Sequence, residues 1–273
     1  MLKYLLVALD LDGTLLKSDK TVHLDSIKDI TQSSKKGINI VYCTGRAPIE
    51  IQEYLEILPS IRYGVCLSGA LVYDFKENKI IYINSIPKEL IEIIIEAAKV
   101  DDGMVQFLTE KDSIVRIDQI THMADFNMGV YQPMYLKIAK TVKDMKEELK
   151  KYNSIPKVNI YFHTKKACQE AYDKLKHLPL SFSFGLESSL EITAADVTKG
   201  NGLSKLASYL GIPMEKIIGI GDGENDRSFL NIVGLSIAMS NASKEIKSIC
   251  KYITDDNDNN GTGKAIHKYC FEN

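Results

Sequence analysis

No charge of either sign dominates the 273 residues: 34 Lys plus Arg face 36 Asp plus Glu, a formal net charge of −2. That balance leaves no electrostatic footprint for nucleic acid or for an anionic membrane surface. No apolar run approaches the length that crosses a bilayer. The first strand-like stretch begins so near the N-terminus that a signal peptide is not expected. Cysteines 43, 66, 168, 250 and 270 are odd in number, widely spaced and mostly set in apolar runs. That pattern argues against a disulfide frame or a zinc site and for buried free thiols in a reducing compartment, so a cytoplasmic location is expected. The five histidines form no metal-binding spacing, and internal repeats and low-complexity tracts are missing.

What is there begins with Leu5–Leu9, a continuously apolar run that reads as a strand buried on both faces of a parallel sheet. It ends in Asp10-Leu11-Asp12-Gly13-Thr14. Spacing i, i+2 places two carboxylates on one face at the end of that strand, where open α/β sheets put ligands. Two like charges so close are costly unless a cation or a shared proton relieves them.

The rest of the chain divides into three parts. A helix over His23–Lys36, a strand over Ile38–Cys43 ending in Thr44-Gly45-Arg46, a helix with Ile51, Tyr54, Leu55 and Leu58 on one face, and a strand over Tyr63–Leu67 follow the pattern of a parallel sheet with helical crossovers. After a hairpin over Ala70–Ile83 the pattern changes to short alternating strands and charged helices. Tyr135–Ala139 reads as one of those strands, and 84–188 as an inserted α+β domain. From Leu190 the α/β pattern resumes: Thr198-Lys199-Gly200 opens an amphipathic helix, and the buried strand Ile217–Ile220 delivers Gly221-Asp222-Gly223-Glu224-Asn225-Asp226. The expected fold is a Rossmann-like α/β parallel-sheet core built from 1–83 plus 189–273, with 84–188 as an inserted cap. Asp255–Asn260 reads as a flexible acidic loop, and Gly261-Thr262-Gly263-Lys264 lacks the spacing of a phosphate-binding P-loop.

Asp10/Asp12, Thr44, Lys199 and Asp222/Asn225/Asp226 stand in order at strand ends or a helix start. Together they resemble the four motifs of haloacid dehalogenase (HAD) superfamily phosphatases. Gly-Asp-Gly-x-Asn-Asp and the following Ala238–Ala242 resemble the Cof-type subfamily, whose large cap lies between the second and third motifs. Departures are small: Cys43 precedes Thr44-Gly45-Arg46, Thr198 precedes the lysine, and Phe229 holds a position where methionine is usual. The resemblance implies a Mg²⁺-dependent phosphoric monoester hydrolase acting on small phosphorylated metabolites, such as sugar phosphates, through an aspartyl-phosphate. Asp10 would be the nucleophile and Asp12 the general acid and base, which needs an Asp12 pKa raised by a neighbouring carboxylate. The metal ligands would be the Asp10 and Asp222 carboxylates and the Asp12 backbone carbonyl. Thr44, Gly45, Lys199 and Asn225 would bind phosphate, and Asp226 would orient a metal-bound water or Lys199. Arg46 is expected to pair structurally.

The cap would close over the cleft and contact the leaving group. A sugar phosphomutase of the same superfamily is the alternative enzyme, but it needs clustered arginines to grip a bisphosphate, and Arg116 is the one arginine of the insertion. A non-catalytic phospho-ligand sensor would need a motif residue to be lost, and none is. The expected partner is a small phosphate ester, without nucleic acid or membrane, and the chain a monomer or weak homodimer.

Overall fold

The structure is a computed structural model that describes residues 2–185 and 187–271. The chain begins with strand β1 (Leu6–Leu9), helix α1 (Leu24–Lys35), β2 (Asn39–Cys43), α2 (Gln52–Ile57), β3 (Tyr63–Cys66), β4 (Leu71–Asp74) and β5 (Lys79–Ile83). The middle runs β6 (Ile86–Pro87), α3 (Lys88–Ala98), β7 (Met104–Leu108), β8 (Ser113–Arg116), α4 (Gln132–Ile138), β9 (Lys140–Val142) and α5 (Met145–Leu149). It continues with β10 (Ser154–Ile155), β11 (Lys157–Tyr161), α6 (Lys165–Leu175), β12 (Leu180–Ser183) and β13 (Ser189–Ala194). The last part is α7 (Lys199–Leu210), β14 (Ile217–Gly221), α8 (Arg227–Leu230), β15 (Leu235–Ala238), α9 (Lys244–Ile249), β16 (Tyr252–Ile253) and α10 (Gly261–Cys270).

These elements form two compact units. One comprises Met1–Arg46, Gln52–Tyr82 and Thr198–Asn273; the other comprises Ala47–Ile51 and Ile83–Val197. The first holds an eight-stranded sheet in the order β16-β15-β14-β1-β2-β3-β4-β5. Its six central ladders from β16 to β4 are parallel except for β3 with β4. β1 sits mid-sheet between β14 and β2, so residues from both ends of the sequence emerge side by side. All four residues of β1 are buried, as are the five of β14, which is why both read as unbroken apolar runs. The core beneath includes Leu6, Ala8, Val41, Val65, Leu203 and Phe229. Thr198 caps α7 by accepting the Asn201 amide, and Gly211 ends it at φ 66°.

The second unit is a six-stranded sheet, β12-β13-β11-β7-β8-β9, antiparallel except between β8 and β9. Its second seam lies later than the 188/189 boundary read from sequence. β13 pairs residue by residue with β11 and β12, so Ser189–Ala194 belongs to this sheet, and the chain leaves it only at Val197. Residues 47–51 also join this unit. The buried Glu50 carboxylate accepts hydrogen bonds from the Ala47 amide (2.8 Å), Gln106 Nε2 (3.1 Å) and the Tyr135 hydroxyl (2.8 Å). A carboxylate out of water needs such donors. Tyr135–Ala139 is not a strand: it falls almost entirely in α4, which carries a proline in its first two positions and packs Tyr135 against Met123 and Phe126.

Candidate active site

β1 and β14 run parallel in register, Leu9 beside Ile220. Asp10 and Asp222 therefore leave the sheet at the same edge although 212 positions separate them in sequence. The turn after β1 depends on Gly13. It sits at φ +81°, and a Cβ there would lie 2.4 Å from Asp222 Oδ2. With no side chain at 13, the Thr14 hydroxyl reaches Asp222 Oδ1 at 2.7 Å.

Lys199, the first residue of α7, is almost wholly buried. Its Nζ donates to Asp10 Oδ1 and to Asp226 Oδ1, both at 2.6 Å. Asp226 Oδ2 in turn accepts the Asp222 and Gly223 amides, each at 2.9 Å. One ammonium thus ties the ends of β1 and β14 together. Burial opposes its charge, but Asp10 and Asp226 outweigh that and raise its pKa above the ordinary lysine value. Asp10, Asp222 and Asp226 each bring a carboxylate oxygen within 4.8 Å of the others. Burial, and then the Asp226 charge, push Asp10 well above the usual carboxylate range. Burial moves Asp222 to about 6 against the pull of the Thr14 hydroxyl. Three clustered carboxylates and one ammonium leave an excess of negative charge in a dry place. A hard divalent cation with oxygen ligands fits that donor set.

Asp12 differs from the expectation of a raised pKa. Its neighbours are cations: Arg46 donates from Nε to Oδ2 (2.8 Å) and from Nη2 to Oδ1 (2.7 Å), and Lys20 Nζ donates to Oδ1 (2.9 Å). Burial pushes the group up, yet the two cations prevail and hold it at about 2. Arg46 is therefore a partner of Asp12. Its guanidinium lies 5.6 Å from the Tyr54 ring, whose hydroxyl donates to the Lys20 carbonyl at 3.2 Å. Lys20 is held at φ 66°, a left-handed conformation uncommon for lysine.

Thr44 is buried at the end of β2, with its hydroxyl accepting the Arg46 amide at 3.2 Å and its carbonyl accepting the Ser68 amide at 3.0 Å. Gly45 follows it in the same turn. Asn225 is exposed in the Glu224–Asp226 turn. Asp10, Asp12, Lys199, Asp222 and Asp226 are thus brought together by direct hydrogen bonds or carboxylate clustering, or lie in the same loop.

Residues that sequence reasoning passed over are Thr14, Lys20, Asn241 and Asn257. The last two bind the loop after β1. Asn241 Nδ2 donates to the Gly13 carbonyl at 2.8 Å, and Asn257 Nδ2 to the Leu16 carbonyl at 2.9 Å. The 255–260 segment, read as a flexible loop, is bonded to the site. Of the cysteines, 43, 66 and 168 are buried free thiols, while 250 and 270 are only half-buried.

Comparisons with known proteins identify the family. A family model described as haloacid dehalogenase-like hydrolase matches residues 7–266. Phosphatase YwpJ of Bacillus subtilis is 26% identical over 281 residues, covering 96% of this chain and 98% of that protein. Pyridoxal phosphate phosphatase YbhA of Escherichia coli is 24% identical over 273 residues, covering 96% and 97%. The solved structure of BT4131, a HAD subclass IIB sugar phosphatase, superposes with a TM-score of 0.82 at 22% identity, covering 97% of this chain and 98% of that one; it speaks to the fold.

Proposed function

The chain belongs to the haloacid dehalogenase-like hydrolases and is a phosphatase of that superfamily acting on phosphorylated metabolites, and from that premise we propose a Mg²⁺-dependent hydrolysis of small phosphate monoesters through an aspartyl-phosphate. The observation that carries the proposal is the buried Lys199, bonded at 2.6 Å to both Asp10 and Asp226 beside Asp222.

Phosphoryl transfer asks little covalent chemistry of a protein and much positioning and charge neutralisation. Lys199 holds Asp10 by Oδ1, which leaves Oδ2 to attack phosphorus. The P–O bond to the leaving alcohol breaks, and Asp12 supplies the proton that the alkoxide takes up. In the second half Asp12 accepts a proton from water as that water attacks the phosphoryl group, and the Asp10 carboxylate is restored. Carboxylates of Asp10 and Asp222 and the Asp12 carbonyl would hold Mg²⁺, which would neutralise charge on the phosphoryl oxygens. Thr44, Gly45, Asn225 and Lys199 would grip those oxygens, and Asp226 sets Lys199 in place.

At rest the two cations keep Asp12 ionised, the form a base starts from, though they also weaken its hold on a proton. For the acid role, Arg46 and Lys20 must first transfer their hydrogen bonds from Asp12 to an incoming anionic ester, which lets the carboxyl take up a proton. Within the second unit Arg116 is bonded to Asp118 (3.0 and 2.7 Å) and to Asp102 (3.1 Å). An arginine so engaged is poorly placed to grip a second phosphate, which favours hydrolysis over a mutase. The relative named for pyridoxal phosphate supports metabolite-sized substrates.

The test is Asp10→Asn. The variant is expected to fold and to release no phosphate from p-nitrophenyl phosphate in Mg²⁺, while the wild type does. Activity retained in the variant removes Asp10 from the nucleophile's role.

A further inference from the structure

Between Gly13 and Lys20 the chain makes an irregular excursion with only isolated bridges, Asp12 to Leu16 and Leu16 to Val22. The Thr14 and Leu16 amides donate to the Leu11 carbonyl (3.2 and 2.9 Å), the Lys17 amide to the Thr21 carbonyl and the Lys20 amide to the Lys17 carbonyl (both 2.9 Å). The Gly13, Thr14 and Leu16 carbonyls and the Ser18 amide take partners from elsewhere. They come from the far end of the sequence. Asn241 Nδ2 donates to the Gly13 carbonyl at 2.8 Å. The Thr262 hydroxyl donates to the Thr14 carbonyl at 2.9 Å, and Asn257 Nδ2 to the Leu16 carbonyl at 2.9 Å. Asp258 accepts both the Ser18 amide (2.8 Å) and the Ser18 hydroxyl (2.6 Å). The two asparagines are themselves joined, because the Asn257 amide donates to Asn241 Oδ1 at 3.3 Å. Asn241 Nδ2 also lies 3.4 Å from Asp222 Oδ2.

The holding segment is braced in its own right. The Thr254 hydroxyl donates to the Gly261 carbonyl at 2.7 Å, the Gly261 amide donates to the Asp256 carbonyl at 2.9 Å, and α10 continues from there. A hydrogen-bonded turn therefore grips an irregular loop.

From this contact set we infer that the 254–262 segment is a clamp on the loop carrying Asp10 and Asp12, and that Asn257 is its principal positioning residue. Asn257 touches no reacting atom. Its side chain acts through the Leu16 carbonyl; its backbone N–H, by way of Asn241, steadies the Gly13 carbonyl, whose peptide plane adjoins the Asp12 carbonyl. Fixing those planes aims the Asp12 carbonyl and keeps Asp222 and the loop in one arrangement. Residues that orient ligands in this way change metal affinity by about 10- to 100-fold when removed. The metal-binding half of this inference rests on the proposed function; the clamp itself does not.

The experiment compares Asn257→Ala with wild type and with Asn259→Ala. Among the described residues the Asn259 side chain, a neighbour in the same segment, bonds only to Asp256. Three readouts are taken. Amide exchange in the 13–20 segment of the metal-free protein is expected to quicken about five- to tenfold in Asn257→Ala, the loss of the one hydrogen bond to the Leu16 carbonyl. Mn²⁺ binding measured by calorimetry is expected to weaken about tenfold. kcat for p-nitrophenyl phosphate at saturating metal is expected to fall while KM stays within about twofold, since substrate contacts are untouched. Asn259→Ala leaves all three unchanged. Asn257→Asp, an isosteric variant that turns an oxygen toward the Leu16 carbonyl, gives the same signs if the alanine variant is too unstable to purify.

Unchanged exchange in residues 13–20 overturns the clamp. Quickened exchange with unaltered Mn²⁺ affinity and kcat overturns the positioning role. A wild-type protein that binds no Mn²⁺ and turns over no ester, yet shows the exchange difference, upholds the clamp and sinks the proposed function instead.

Discussion

Lys199 gives the sharpest measurement. Its ammonium is buried with two carboxylates at 2.6 Å. Lys199→Met keeps most of the stem's volume and deletes the charge. Two carboxylates then remain in a dry site, with Asp222 nearby. Removing one partner of a buried pair costs about 3–5 kcal/mol, because the remaining charge stays uncompensated. A domain with about 5–15 kcal/mol of stability survives that loss. At an m-value of about 2–3 kcal/mol/M the urea midpoint of the unit carrying the site should fall by about 1–2 M, measured without divalent metal. The pH dependence supplies a second signature. Asp10, whose carboxyl burial already pushes up, escapes the penalty by taking up a proton, so the deficit should shrink as pH falls from about 7.5 to 5. Lys199→Met/Asp226→Asn removes one of the orphaned charges while keeping an acceptor for the Asp222 and Gly223 amides. It should therefore be less unstable than the sum of the single variants, with a coupling of about 1–3 kcal/mol. A single-variant cost below about 1 kcal/mol, or no coupling, would refute the view that this ammonium holds the two strand ends together.

Other expectations follow from the same geometry. The folded-state pKa of Asp10 and of Asp222 is raised, so their contribution favours folding below the ordinary carboxylate range and is lost as pH rises through about 6 for Asp222; millimolar Mg²⁺ should therefore raise the melting temperature more at about pH 7.5 than at pH 5, and an equal rise at both would count against cation binding here. Asp12→Ala should leave Mn²⁺ affinity largely intact in calorimetry while abolishing turnover, since the carbonyl remains; a lost metal site contradicts that. Buried Asp74 accepts from Arg62 (2.6 Å) and the Lys76 and Glu77 amides, which overcome burial and lower its pKa, so its stabilisation is present above about pH 4 and fades below it. Asp74→Asn should lose about 2 kcal/mol at neutral pH and show a flatter acid limb in urea titrations.

The strand-end motifs were readable because burial on both faces writes itself as a continuous apolar run, and both β1 and β14 are buried throughout. Lys199 was readable only in combination. A lysine at a helix start is ordinarily solvated, and its burial depends on two carboxylates 189 and 27 positions away. Asn257 was beyond reach for the same reason carried further. Its local setting, Asp-Asp-Asn-Asp-Asn-Asn, has the composition of a solvated loop, while its bond runs to a carbonyl 241 positions distant. Backbone carbonyls carry no sequence signal, so a side chain that exists to bind them leaves none either.

The second seam failed for a different reason. β13 and the approach to α7 follow one another without a glycine or proline to mark the change of unit, and only pairing with β11 and β12 assigns the strand. The α4 error was local: alternating Tyr135, Lys137 and Ala139 mimic a strand, but Pro133 starts a helix and Tyr135 is drawn to Glu50. The Asp12 environment inverts the simplest electrostatic guess. Two neighbouring aspartates suggest mutual repulsion, yet the pleat and the Gly13 turn deliver Asp10 to Lys199 and Asp12 to Arg46 and Lys20. One carboxylate is left buried among acids and the other is paired with cations. That separation of environments, set by tertiary contacts, would let two adjacent aspartates take the different parts proposed for them in one reaction.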